Sequence, residues 1–225
     1  MRALLDKEMA ALRREVIALG QLTVAQLDGA LKALEQRDAE LARSVALADS
    51  ALDKAEVAID GHVLRVMALQ QPEAIDLRGL LADLRIASAL ERIGDHAKTV
   101  ARRLPAVCDR LSDPLDPDLI AIGRMALDEV ADAMRSYELE DADLALAICA
   151  RDEALDRHFT SYANAALDAM EAGQIAIRPG AFLVYAARNF ERIGDQATNI
   201  AERVHFAVRG RLPLEDRPRG TEGQP

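Results

Sequence analysis

Glu91-Arg92-Ile93-Gly94-Asp95 returns unchanged as Glu191-Arg192-Ile193-Gly194-Asp195, 100 residues later, and the same spacing carries Ala97 onto Ala197, Ala101 onto Ala201 and Arg103 onto Arg203. Such a recurrence marks an internal duplication, which sets the architecture before any single motif is weighed. A second match lies upstream. Asp38-Ala39-Glu40-Leu41-Ala42 pairs with Asp141-Ala142-Asp143-Leu144-Ala145, and Asp49-Ser50-Ala51-Leu52-Asp53 with Asp152-Glu153-Ala154-Leu155-Asp156, both 103 residues apart. The second copy is therefore three residues shorter between its two matches, a loss expected in the turn between them.

Around these boxes the apolar residues recur at helical spacing. Leu12, Val16, Leu19, Val24, Leu27, Leu31 and Leu34 place a first amphipathic helix over Leu4 to Leu34. Asp38 is a good N-cap for a second, with Leu41, Val45, Leu52, Ile59, Val63 and Val66 on its apolar side, ending at Gln71-Pro72. A third runs from near Pro72 to Leu104. The segment from Pro105 to Pro117, with Asp113-Pro114 and Asp116-Pro117, breaks periodicity and reads as a linker. Three further helices follow, over about Asp118 to Tyr137, Asp141 to Ala172 and Pro179 to Val208. No stretch alternates polar and apolar residues with β-branched enrichment, so no sheet is expected. The expected fold is all-α: two tandem three-helix bundles over residues 1–106 and 117–209, with a mobile tail at 210–225, where Pro213, Pro218, Gly220 and Gly223 accumulate.

Composition narrows the function. With 50% apolar and 29% charged residues the chain can bury a core. A net charge of −10 and 3% aromatics disfavour nucleic acid as a partner, because phosphates are repelled and few rings are available for stacking. No apolar run approaches the roughly 18 residues of a membrane span, and the charged N-terminus does not read as a secretory leader. The expectation is a cytoplasmic protein without membrane insertion. Cys108 and Cys149 lack metal or disulfide spacing and read as small apolar residues.

The chemistry lies in the acids. Asp49/Asp53, Glu91/Asp95, Asp152/Asp156 and Glu191/Asp195 are spaced i,i+4, which stacks two carboxylates one turn apart on a helix face at a cost of a few tenths of a kcal/mol, about 0.2–0.5. A hard cation held by carboxylate oxygens would offset that repulsion. Asn199, one turn past Asp195, extends the second set; its counterpart is Thr99. Gly94 and Gly194 stand inside these helices, where Gly costs about 1 kcal/mol against Ala. They suggest either close approach of a neighbouring helix backbone or plain packing. Arg92 and Arg192 read as exposed, and His62, His96 and His158 as surface or packing residues, the last two as possible outer partners of the acids. Glu202-x-x-His205 is half a di-iron signature without its second half, since Pro105 holds the equivalent place. There is no nucleophilic triad or Gly-rich phosphate loop, so no enzyme is expected.

These boxes, with Gln71-Pro72 ahead of Asp76-Leu77-Arg78 and Leu19-Gly20 in the first helix, resemble the PhoU family of phosphate-uptake regulators over most of the chain. The resemblance implies metal ions (iron, zinc, manganese or magnesium) bound by Asp49, Asp53, Glu91 and Asp95 in one copy and by Asp152, Asp156, Glu191, Asp195 and Asn199 in the other. It also implies a homodimer that couples the ATPase subunit of a phosphate transporter to a phosphate-sensing histidine kinase. The second copy departs from the pattern, with Arg178-Pro179-Gly180 in place of Asp-Leu-Arg. The competing readings are a metal-free helical dimerisation module and a di-iron oxidase.

Overall fold

The computed structural model describes residues 2–111 and 117–213, and these are helical with no strand among them. The helices are α1 (Arg2–Gln36), α2 (Ala39–Ala48), α3 (Ser50–Gln70), α4 (Ala74–Arg103), α5 (Pro117–Leu139), α6 (Ala142–Glu171) and α7 (Ile177–Arg209). Since α2 and α3 are two segments of one rod, the six expected helices are present, three to each repeat. Pro105, expected in the linker, opens no free chain: Leu104–Ala106 and Cys108–Arg110 form short 3-10 turns. The rest of the expected linker, 112–116, and most of the expected tail, 214–225, lie outside the described residues.

Duplication is visible in the turns. At the first, Arg37 takes φ 55° and Asp38 caps α2, its side chain accepting from the amides of Glu40 and Leu41 at 2.9 and 3.0 Å. At the fifth helix's end, Glu140 takes φ 53° and Asp141 caps α6 by accepting from Asp143 and Leu144 at 3.0 and 2.9 Å. A carboxylate N-cap satisfies amides that no helical carbonyl can reach and complements the helix dipole.

Two features depart from expectation. The second helix is pinched at Asp49, whose backbone stays helical (φ −54°, ψ −34°): Leu52 bonds back to its carbonyl at 2.8 Å in the tighter three-residue pattern beside the ordinary bond from Asp53 at 3.3 Å. Asp and Ser, adjacent there, are poor helix formers; α6 passes its equivalent, Asp152, unbroken. The three missing residues are also not taken from the turn. The turn before α7 is longer (172–176) than that before α4 (71–73), and the end of α6 and the start of α7 are trimmed instead.

Asp76, from the Asp-Leu-Arg motif, fastens the start of α4. Its carboxylate accepts from the Glu73 amide at 3.1 Å and from both terminal nitrogens of Arg2 at 2.7 and 3.1 Å, and the Arg2 guanidinium holds its pKa below the usual carboxylate range. The apolar residues of both repeats form one continuous core. Helices α4 and α7 pack side by side at its centre, antiparallel: Arg103 lies over the Tyr185 ring near one end, His96 meets Asn189 further along, and Arg85 and Arg203 share a cleft beyond. Gly123 permits the remaining close approach, since a Cβ there would stand 2.6 Å from Leu31 and 3.2 Å from Phe190.

Candidate functional site

In the first repeat Asp49 occupies the pinch between α2 and α3 and is almost wholly buried. Its Oδ1 accepts from Gln26 Nε2 of α1 at 2.9 Å, and its Oδ2 meets the Lys98 ammonium of α4. The same ammonium reaches Asp95 Oδ1 at 3.2 Å. One lysine thus bridges a member of each expected acidic pair. Glu91 lies in the field of Asp95, Glu56 and Asp53, and its pKa is raised, first by burial and then by those three charges. The structure therefore gathers all four expected acids of this repeat on facing helices and adds Glu56, Gln26 and Lys98 to them.

The second repeat is arranged differently. Asp152 and Glu191 are buried, Asp156 and Asp195 half-buried, and Glu129 of α5 comes in from below with only 4% of its surface exposed. Burial, then the Asp152 charge, raises Glu129 to about 7, with Arg151 opposing. Burial likewise raises Glu191 to about 7; Arg188, 2.7 Å from its Oε1, opposes this, and Asp195 and Asp156 reinforce it. Among the described residues, Glu129 Oε2 and Glu191 Oε2 are buried without a hydrogen-bond partner. An uncompensated buried acceptor costs about 1–3 kcal/mol, so native proteins keep few of them.

The repeat register pairs the two sites residue by residue. Glu129 stands 103 residues after Gln26, and Thr198 100 after Lys98, so the second site carries Glu for Gln and Thr for Lys. Those two exchanges add a negative charge and remove a positive one, while Phe159 in place of Glu56 takes one negative charge back. Thr198 is buried and spends its hydroxyl on the Gly194 carbonyl at 3.2 Å.

The glycines between the acids admit side chains, not a neighbouring backbone. A Cβ on Gly94 would stand 2.5 Å from Leu52 and 3.1 Å from Gln26 Oε1; one on Gly194 would stand 2.2 Å from Leu155 and 3.0 Å from Glu129 Oε2. The space each glycine leaves is thus filled first by a leucine methyl, with the α1 or α5 oxygen beside it. Sequence reading overlooked Glu129 because it followed the acidic pairs; carrying the 103-residue register back into α1 and α5 finds it. Glu56 was detectable as an acid one turn past Asp53.

The remaining expectations fall out variously. Asn199 lines the cleft between α4 and α7. His96 is hydrogen-bonded to Asn189 Oδ1 at 3.1 Å, and burial lowers its pKa. His158 is exposed. His62 is no surface or apolar-packing residue: it is 6% exposed and clamped between Glu15 and Glu8 of α1, at 2.9 and 3.0 Å. His205 Nδ1 is engaged by the Arg211 carbonyl at 2.9 Å. Neither Cys108 nor Cys149 takes part in a disulfide. Among the described residues, no three His, Cys, Asp or Glu side chains are already gathered into a metal-holding arrangement, and no helix is long and apolar enough to cross a membrane.

Comparison with known proteins adds to this geometry. The family model described as "PhoU domain" matches twice, over residues 16–104 and 119–204. A phosphate-specific transport system accessory protein PhoU homolog of Xylella fastidiosa (strain 9a5c) is 38% identical, over 94% of this chain and 89% of its own length. One of Caulobacter vibrioides (strain NA1000 / CB15N) is 33% identical, over 95% and 93%. Among solved structures, PhoU from Pseudomonas aeruginosa superposes with a TM-score of 0.88 at 34% identity, covering 92% of this chain and 99% of that one. The phosphate transport system regulatory protein PhoU from Streptococcus pneumoniae gives 0.85 at 28%, covering 93% and 99%.

Proposed function

The chain belongs to the PhoU family, and from that premise we propose that it is a metal-binding, cytoplasmic regulator of phosphate uptake, in which a cation held by the second repeat fixes a surface for its partners. The coarse role, regulation of phosphate transport, rests on the double domain match and on relatives named as accessory proteins of that system. The metal reading rests on one observation: two buried carboxylate oxygens, Glu129 Oε2 and Glu191 Oε2, lack any donor in the field of Asp152, Asp156 and Asp195.

The donor set is oxygen throughout, which suits magnesium, manganese or iron, and one of those oxygens already lies beside Gly194. Glu129, Asp152, Asp156, Glu191 and Asp195 would hold the ion; bound there, it would neutralise the acids and cross-link α5, α6 and α7. In the first repeat Asp49, Asp53, Glu91 and Asp95 form the corresponding set, with the Lys98 ammonium supplying positive charge between α2–α3 and α4. That lysine favours the metal-free structural reading for the first repeat alone.

Partners remain those of the family resemblance: the transporter ATPase subunit, the histidine kinase and a second copy of the chain. Exposed Leu47, Val57, Leu64 and Leu69 on α2 and α3 supply apolar surface such partners would bury. Metal content of protein prepared without added metal, together with melting in Mn or Mg, tests the reading. Stoichiometric metal and a raised melting temperature are expected, with affinity weakened about tenfold in Glu129→Gln. Protein without metal, and melting indifferent to either ion, would defeat it.

A further inference from the structure

In a chain of net charge −10, three arginines converge on one cleft without a counter-ion. Arg85 and Arg92 from α4 and Arg203 from α7 line a polar hollow of about 190 Å³, with Ser88, Gln196 and Asn199 between them. Among the described residues none of the three guanidiniums makes an ion pair or hydrogen bond. Arg85 and Arg92 are exposed and Arg203 half-buried; like charges so placed repel, and an anion bound between them would offset that repulsion.

The duplication provides an internal control. The pseudo-equivalent place, reached by adding or subtracting 100, has Tyr185 for Arg85, Arg188 for Ser88, Asn189 for Ala89 and Arg103 for Arg203. There Arg103 is stacked 3.9 Å over the Tyr185 ring, Arg188 is paired with Glu191 at 2.7 Å, and Asn189 bonds the Tyr185 carbonyl at 2.8 Å and His96 at 3.1 Å. Each of these groups is paired within the protein. In the cleft the corresponding positions are an unpaired Arg85, an unpaired Arg203 and an Ala89 too short to fill the space.

We infer that this cleft binds the phosphoryl group of a small ligand, with inorganic phosphate the best fit. Guanidinium forks match two oxygens of a tetrahedral oxyanion at once, and the Ser88 hydroxyl and the amides of Gln196 and Asn199 add donors. The hollow is small, which favours the free ion over a larger ester. It is built from one helix of each repeat, so a bound anion fastens the repeats to each other. The site goes beyond the metal reading and stands without it.

Calorimetric titration of the full, chelator-treated chain with inorganic phosphate at constant ionic strength tests this. Saturable one-to-one binding is expected. Arg85→Gln with Arg203→Gln should weaken it at least about tenfold. Ala89→Asn, which installs the residue found at the equivalent place, should abolish it without altering charge, while Arg103→Gln should leave it intact. Melting curves establish that each variant is folded. Phosphoserine separates the sources: weaker binding than phosphate assigns the site to the free ion, and tighter binding assigns it to phosphomonoesters. No saturable heat up to about 10 mM, binding only when divalent cations are added, or equal loss in Arg103→Gln would each overturn the inference.

Discussion

The two repeats solve one electrostatic problem in opposite ways. The first places an ammonium among its acids and a neutral amide beneath them: Lys98 bridges Asp49 and Asp95, and Gln26 donates to Asp49. The second substitutes Thr198 and Glu129, and two of its carboxyls are pushed to about 7. An identical pentapeptide therefore does not make identical sites. The deciding residues lie three positions past the box and on a different helix: Lys98 bridges two acids of the first repeat, whereas Glu129 adds a buried acid to the second.

The comparison presumes that the repeats fold as one body. Phe190 tests that most severely, since it is wholly buried against α5 next to Leu31 of the first repeat. Phe190→Ala should cost about 3–5 kcal/mol. Urea unfolding followed by circular dichroism should still show a single transition; two separated ones would mean that the repeats melt independently and that their sites need no common account.

A smaller effect reverses the asymmetry. Lys98→Met leaves Asp49 buried beside Asp95 without its cation. Breaking a wholly buried pair costs about 3–5 kcal/mol, and because Lys98 is 31% exposed the expected loss is roughly 2 kcal/mol. Added Mn or Mg should restore part of it, giving the first repeat the metal response expected of the second. An unchanged urea midpoint would show that the lysine neutralises nothing of consequence.

The smallest effect concerns pH. Burial opposes the charge on His62, yet hydrogen bonds to Glu15 and Glu8 outweigh it and raise its pKa above 6.5. A raised pKa means that the folded state holds the proton more tightly. The stabilisation is complete below the unfolded value of 6.5 and is lost as pH rises through the folded one. Wild type should therefore exceed His62→Gln in stability most at about pH 6, with the gap narrowing by about pH 8.5. The equivalent residue in the second repeat is Ala165, so the clamp on His62 has no counterpart at that position. A gap constant across that range would remove His62 from the contrast between repeats.

Much of this was legible in the sequence. Six helices, their caps at Asp38 and Asp141 and the pairing of the acidic boxes all follow from periodicity and repetition, which are local properties. The pinch at Asp49 was not legible, because residue type alone does not decide it: the equivalent Asp152 stands in an unbroken helix. Glu129 and His62 were missed for a related reason: each acquires its meaning from residues on another helix. Of the cleft arginines only Arg92 was singled out, as exposed surface, and only the antiparallel packing of α4 and α7 brings it together with Arg85 and Arg203.

The interruption at Asp49 is slight, since its backbone stays helical (φ −54°, ψ −34°). Helix α2 is ten residues long, an arm of about 15 Å, and it leaves α3 at the very residue whose oxygens Gln26 and Lys98 grip. Gln26 and Lys98 thus tie that one carboxylate, at the seam between α2 and α3, to α1 and α4 at once.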